Sequence, residues 1–127
     1  MQLNESLERL QTQGIESIAI CTLHSYANPE HEQLIKAAVE KKLPGVYVTC
    51  SSEVCPEFRE YERCSTTVVN AYIGPAVSRY IEKIENNIKH AGIDAFRIVK
   101  SNGGLTSSQN GRKFPVHFIE SGPAAGV

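Results

Sequence analysis

An α/β fold is predicted for this chain, and three observations predict it. An apolar run at 15–23, an amphipathic stretch at 28–43 and a β-branched run at 46–50 follow one another at the spacing of a strand–helix–strand crossover. From 65 to 91, apolar residues recur in steps of three and four, which is the period of a helix. Further on, short apolar runs end in glycine-containing loops at 101–104 and 121–126. The 127 residues (14.0 kDa) match one α/β domain spanning 1–127, given ~100–200 residues per domain.

The elements follow in order. Asn4 caps a short helix at 4–13, Glu5 suits its positive end, Leu7 and Leu10 mark its apolar face, and Gly14 stops it. Residues 15–23 read as a buried strand. Asn28 and Pro29 then open a helix to about 43, as N-cap and first helical residue. Its apolar stripe is Leu34, Ile35, Ala38, Val39 and Leu43, and Lys41 and Lys42 suit its negative end. Pro44-Gly45 ends it, and 46–50 forms a second strand, parallel to the first because the connection is a crossover. Residues 51–63 read as polar and irregular. The long helix opens at Ser65 or Thr66, with a kink or break expected where Gly74-Pro75 removes a backbone hydrogen bond, and it ends at Ala91-Gly92. A third strand at 95–99, a weak helical turn at 106–111 and a fourth strand at 116–119 complete the pattern.

Composition excludes several classes of function. With 41% hydrophobic and 21% charged residues, the chain is globular and not disordered. A net charge of −1 gives no basic field for nucleic acid or anionic lipid. No apolar run approaches the about 20 residues of a membrane span, and the N-terminus is polar and acidic, unlike a signal peptide. The four cysteines, Cys21, Cys50, Cys55 and Cys64, lack the paired spacing of a zinc site. They read as free cytoplasmic thiols, with Cys21 buried in its strand, ahead of a metal or redox use of Cys50, Cys55 and Cys64.

Four places could carry chemistry. Asn102-Gly103-Gly104 after a strand is either an ordinary tight turn or a loop whose N–H groups approach a phosphate. Gly122, Pro123, Ala124, Ala125 and Gly126 either set a helix N-terminus near a nucleotide or pack a helix closely on a strand. Neither segment matches a dinucleotide-binding or Walker motif. The loop 57–63 offers Glu60, Glu62 and Arg63 as cleft residues, or a solvated charged surface. Of the scattered histidines, only His24 follows a strand end, where α/β sites lie. No histidine spacing suggests a metal ligand set.

Several segments together resemble the hydantoinase A/5-oxoprolinase family. They are Glu16-Ser17-Ile18-Ala19-Ile20-Cys21 with His24-Ser25-Tyr26-Ala27-Asn28-Pro29-Glu30-His31-Glu32, then Phe58-Arg59-Glu60-Tyr61-Glu62-Arg63 with Ser65-Thr66-Thr67-Val68-Val69-Asn70-Ala71-Tyr72, then Ser101-Asn102-Gly103-Gly104-Leu105, and last Ser121-Gly122-Pro123-Ala124-Ala125-Gly126-Val127. The resemblance runs from about Leu3 to Val127. It implies a piece of an actin-like, ribonuclease-H-like ATPase lobe, covering the end of an N-terminal domain and the start of the hydantoinase/oxoprolinase domain. In the parent enzyme, ATP with Mg²⁺ would activate a cyclic amide or imide (a hydantoin, an N-methylhydantoin or 5-oxoproline) for hydrolysis, or a ketone for carboxylation. Its partners would be the remainder of the same chain and a hydantoinase B-type subunit or fused domain.

The resemblance places Asn102, Gly103, Gly104 and Gly122 to Gly126 on the nucleotide side or at a lobe interface. It makes the Glu60 to Arg63 loop a cleft element; by position and chemistry, Glu60, Glu62, Arg63 and His24 are the candidates for chemistry. The family's Asp-x-Gly-Gly-Thr phosphate loops do not occur in these residues, so the isolated piece is expected to be inactive and to hold no cofactor tightly. Cys64 stands where the family suggests Thr or Ser, and Gly111 weakens a turn that is more helical there. A stand-alone binding or regulatory module is the alternative.

Overall fold

A computed structural model describes residues 2–119 and 121–126. They divide into two compact units, the first extending to Tyr72 and the second starting at Ile73.

The first unit opens with α1 (Gln2–Thr12), followed by β1 (Ser17–Ile20), α2 (Glu30–Lys42), β2 (Tyr47–Cys50) and the single-turn α3 (Ser51–Val54). The strands pair in parallel, Ser17 opposite Tyr47 and Ile20 opposite Cys50, with α2 as the crossover. The expected cap appears in altered form. Asn28 Oδ1 accepts the N–H of Glu30 at 3.0 Å, so the side chain satisfies an orphan donor although the helix begins two residues later. Leu7, Ile20, Val39, Leu43 and Cys50 form the core, with Leu10, Ile15, Ile18, Ile35, Ala38, Val46 and Val48 packed around it.

This unit departs from the sequence expectations at α2 and after β2. Leu34 is exposed, and the buried place on the inward face of α2 belongs to Glu32, at helical spacing from Ile35 and Val39. The stretch 51–63 is not irregular throughout, because α3 follows β2 directly and α4 (Glu60–His90) starts five residues before Ser65.

The helix α4 runs 31 residues with Pro75 inside it, so no break occurs there. In the first unit its polarity is inverted. Arg63, Thr67, Asn70 and Ala71 are buried, while Val68, Val69 and Tyr72 are exposed. Period alone locates a helix but does not say which face turns inward. At its C-terminus, Ile93 N–H donates to Ile88 C=O at 3.1 Å and Gly92 N–H to Lys89 C=O at 3.0 Å. This 6→1 and 5→2 pair needs a left-handed residue, and Gly92 supplies it with φ +78°.

The second unit adds β3 (Ile98–Val99), β4 (Leu105–Thr106), α5 (Ser108–Lys113), a 3₁₀ turn (Pro115–Phe118) and α6 (Ser121–Ala125). The third strand is shorter than expected, and the fourth is in a different place. Val116 to Phe118 lies in the 3₁₀ turn because Pro115 pre-sets a helical first position, so β3 pairs antiparallel with β4 instead. The weak turn is a capped helix, with Ser107 Oγ accepting Asn110 N–H at 3.3 Å. Gly111 is buried within it. A Cβ there would lie 2.5 Å from Ile98 Cδ1 and 3.2 Å from Ile81 Cδ1, so its lack of a side chain allows the packing.

Candidate functional site

The C-terminal ends of β1 and β2 converge on a buried polar cluster, the position where open α/β sheets place their sites. Glu32 is 0% exposed, and both its oxygens are fully occupied. Oε1 accepts Thr22 N–H at 2.9 Å and Ser51 Oγ at 2.5 Å, while Oε2 accepts Ser52 N–H at 2.9 Å and Ser52 Oγ at 2.7 Å. Burial alone would raise this carboxyl. The hydrogen bonds from Ser51, Ser52 and Thr22 outweigh it and hold the group below the usual carboxylate range.

Arg63, 1% exposed, closes the cluster from α4. Nε donates to Ser51 Oγ at 3.1 Å, Nη1 to Glu57 C=O at 2.8 Å, and Nη2 to Thr22 C=O at 3.0 Å and to the Glu60 carboxylate. Ser51 gives its one proton to Glu32 and accepts from Arg63. Ser25, 2.9 Å away, must therefore be the donor in the Ser25–Ser51 contact. The guanidinium also lies 5.6 Å from the centre of the Tyr26 ring. Thr67 Oγ1 donates to Arg63 C=O at 2.6 Å and Asn70 Nδ2 to Thr49 Oγ1 at 3.0 Å, which continues the polar face along the helix.

Of the four chemistry candidates, the structure brings three together. Glu60 is 44% exposed; one oxygen meets Arg63 and the other accepts His24 N–H at 3.4 Å. His24 has φ +57°, a left-handed conformation that stores strain in a non-glycine residue. Glu62 stands apart, 3.6 Å from Arg59 on the exposed surface. Sequence reading missed Glu32, Ser25, Ser51 and Ser52. The available signal was an acidic residue in phase with Ile35 and Val39 on the core face of α2.

The segment Lys100 to Gly104 forms the β3–β4 hairpin. Gly103 (φ +82°) gives its N–H to Lys100 C=O at 2.9 Å, and Gly104 gives its N–H to Asn102 Oδ1 at 3.0 Å. These two N–H groups are committed inside the turn, so a ligand at the hairpin would meet side chains. Ser101 N–H donates to His117 C=O at 2.8 Å, tying the hairpin to the 3₁₀ turn. A cavity of about 360 Å³ lies there, lined by Lys100, Ser101, Asn102, Val116 and His117. In α6, Gly122 is exposed with open space where a Cβ would sit, and Ala125 and, after the helix, Gly126 are exposed. The side chains of Pro123 and Ala124 lie outside the described residues.

Among the described residues, no three His, Cys, Asp or Glu side chains converge to hold a metal ion, Cys50, Cys55 and Cys64 included. The described residues thus supply no all-protein cage for a metal ion. All four cysteines are free. Cys21 is exposed and not buried as expected, because it follows the last residue of β1. Partial burial of its thiol, then hydrogen bonding to Cys64, push it up to about 11. Burial, then the Glu53 carboxylate, push the Cys50 thiol up to about 12. No helix among the described residues is long and apolar enough to cross a membrane.

Two family descriptions match the chain, hydantoinase/oxoprolinase over residues 63–127 and hydantoinase/oxoprolinase N-terminal region over residues 1–43. The caprolactamase subunit alpha of Pseudomonas jessenii is 40% identical over 97% of this chain and 18% of its own. The crystal structure of that ATP-dependent caprolactamase superposes with a TM-score of 0.88. The 5-oxoprolinase of Saccharomyces cerevisiae is 36% identical over 95% of this chain and 9% of its own. A nucleotide-free structure of acetone carboxylase matches with a TM-score of 0.79 at 29% identity, over 98% of this chain and 18% of that one. The chain thus spans less than a fifth of the length of these relatives.

Proposed function

The chain belongs to the hydantoinase/oxoprolinase family, and on that premise we propose that it is a segment of an ATP-dependent hydrolase that opens a cyclic amide or imide ring. The observation that carries this is the match to the ATP-dependent caprolactamase, at 40% identity and a TM-score of 0.88 over nearly the whole chain. The substrate class is a hydantoin, an N-methylhydantoin, a lactam or 5-oxoproline. A cyclic amide carbonyl is a poor electrophile, and ATP bound in the parent enzyme supplies the activation.

The contribution of this chain is structural on one side and binding on the other. The Glu32–Ser51–Arg63 cluster fixes the strand ends and aims Glu60 outward, which makes Glu60 the candidate for positioning substrate and Arg63 the residue that holds it. Backbone strain at His24 brings its N–H to Glu60. Glu62, paired on the surface, is the weakest of the four. The hairpin residues Asn102, Gly103 and Gly104, with Gly122, Pro123, Ala124 and Ala125 of α6 and the following Gly126, form the nucleotide side or a lobe interface. By itself the chain hydrolyses no ATP and opens no ring, since phosphoryl transfer needs metal and phosphate contacts in place together. The parent works in the cytoplasm with Mg²⁺ and with a hydantoinase B-type subunit or fused domain. The outward-facing Tyr61, Val68, Val69 and Tyr72 suit burial by the remainder of the parent chain.

A second reading, a segment of a ketone carboxylase subunit, is favoured by the TM-score of 0.79 to acetone carboxylase. A chimaera separates the two, with this segment replacing its counterpart in the Pseudomonas jessenii caprolactamase. Retained ATP-dependent opening of caprolactam is the expected result. A chimaera that folds and binds ATP but opens no ring would overturn the proposal.

A further inference from the structure

The cavity beside the β3–β4 hairpin is lined by donors. Lys100 offers an ammonium, Ser101 a hydroxyl and His117 an imidazole. Asn102 has its Oδ1 occupied by Gly104 N–H, so its Nδ2 remains to donate. Among the described residues, no carboxylate lines the space. From 95 to 119 the sequence contains Arg97, Lys100, Arg112 and Lys113 and neither Asp nor Glu, in a chain whose net charge is −1. Arg112 is neutralised by Glu85. Among the described residues, Lys100 Nζ pairs with no carboxylate.

Gly104 holds this arrangement in place. A Cβ there would stand 3.1 Å from Lys100 Cε, 3.6 Å from Nζ and 3.2 Å from Asn102 Oδ1. The missing side chain therefore lets the end of the Lys100 side chain lie over Gly104. The cavity of about 250 Å³ in the same unit differs in kind, because Glu85 and Asp94 line it alongside Lys89 and Arg97. A half-buried lysine that pairs with no carboxylate among the described residues, beside neutral donors, favours an anion over a cation or an apolar ligand.

We propose that this cavity binds a phosphate group, with Lys100 supplying the charge and Asn102 Nδ2 a donor beside it. Donors arranged around a cavity suit a tetrahedral oxyanion, and the volume leaves room for whatever the phosphate is attached to. The site deepens the nucleotide-side assignment of the hairpin and rests on that reading only in the choice of ATP as one probe.

The experiment is a titration of the full chain with inorganic phosphate and, separately, with ATP, followed by amide chemical shifts. Phosphate should move the amides of 100–104 and 116–117. Lys100→Gln should weaken it by about tenfold or more, the loss of one charge-assisted hydrogen bond. Lys100→Arg should retain binding, and Gly104→Ala should weaken it with the charge unchanged. Lys89→Gln, in the other cavity, should behave as the unaltered chain. ATP competing for the same amides identifies the phosphate as a nucleotide's. Phosphate binding without ATP competition keeps the site and removes the nucleotide-side assignment. The absence of phosphate-induced shifts at the hairpin, or an unchanged affinity in Lys100→Gln, would overturn the proposal.

Discussion

The two units use charge in opposite ways. In the first, Arg63 and Glu32 are buried and bonded on nearly every side, so their polarity is consumed in holding strand ends, α2 and α4 together. In the second, Lys100 stands over a hairpin turn and faces a cavity without an acidic partner among the described residues. Buried charge that is fully bonded specifies structure, and removing one partner is costly. Charge without a partner beside open space is available for a ligand. Chemical type alone does not separate the roles; the bonding of each group does.

The largest test of the contrast is Arg63→Met. It strips donors from Ser51 Oγ and the carbonyl groups of Thr22 and Glu57, and should cost about 3–5 kcal/mol in urea unfolding. A loss below about 1 kcal/mol would place Arg63 among surface pairs.

Glu32→Gln comes next, at about 2–3 kcal/mol, because an amide NH₂ would face donors at Ser51 or Ser52. It also carries a pH signature. The carboxyl is held below its ordinary value, so its contribution is present above the unfolded carboxylate range and is lost as pH falls through the folded value. Unfolding measured from neutral to acidic pH should show a shallower acid loss in Glu32→Gln than in the unaltered chain. Equal slopes would mean that Glu32 carries no linkage.

Gly103→Ala is a smaller perturbation, about 1 kcal/mol, since φ +82° strains any residue with a Cβ while the surrounding space is open. The smallest effect is kinetic. Thiol labelling at neutral pH should leave Cys50 for last, because it is buried and its thiol is pushed up to about 12. Early labelling of Cys50 would show that the first unit opens locally.

Much of the fold was legible because it rests on local chemistry. The β1–α2–β2 crossover follows from two short apolar runs and an Asn-Pro helix start, and Gly92 stops α4 where expected. The inversion of α4 was not legible. Val68, Val69 and Tyr72 belong to the apolar repeat that marks the helix, yet Arg63, Thr67 and Asn70 take the inward face because their partners come from residues 22, 49, 51 and 57. Those pairings span 6 to 41 positions, beyond any periodicity. The site was half visible for the same reason. Glu60, Arg63 and His24 were picked out by position, whereas Glu32 lay inside a helix pattern and Lys100 beside a turn whose glycines drew attention to its backbone.

The urea midpoint measured with and without phosphate, for the unaltered chain, Arg63→Met and Lys100→Gln, tests the contrast most directly. A ligand that binds only the folded state raises the midpoint. The account predicts that phosphate raises it in the unaltered chain, that Arg63→Met lowers it in either condition, and that Lys100→Gln matches the unaltered chain without phosphate and gains nothing from it. A Lys100→Gln midpoint as low as that of Arg63→Met, or an undiminished phosphate response in Lys100→Gln, would contradict it.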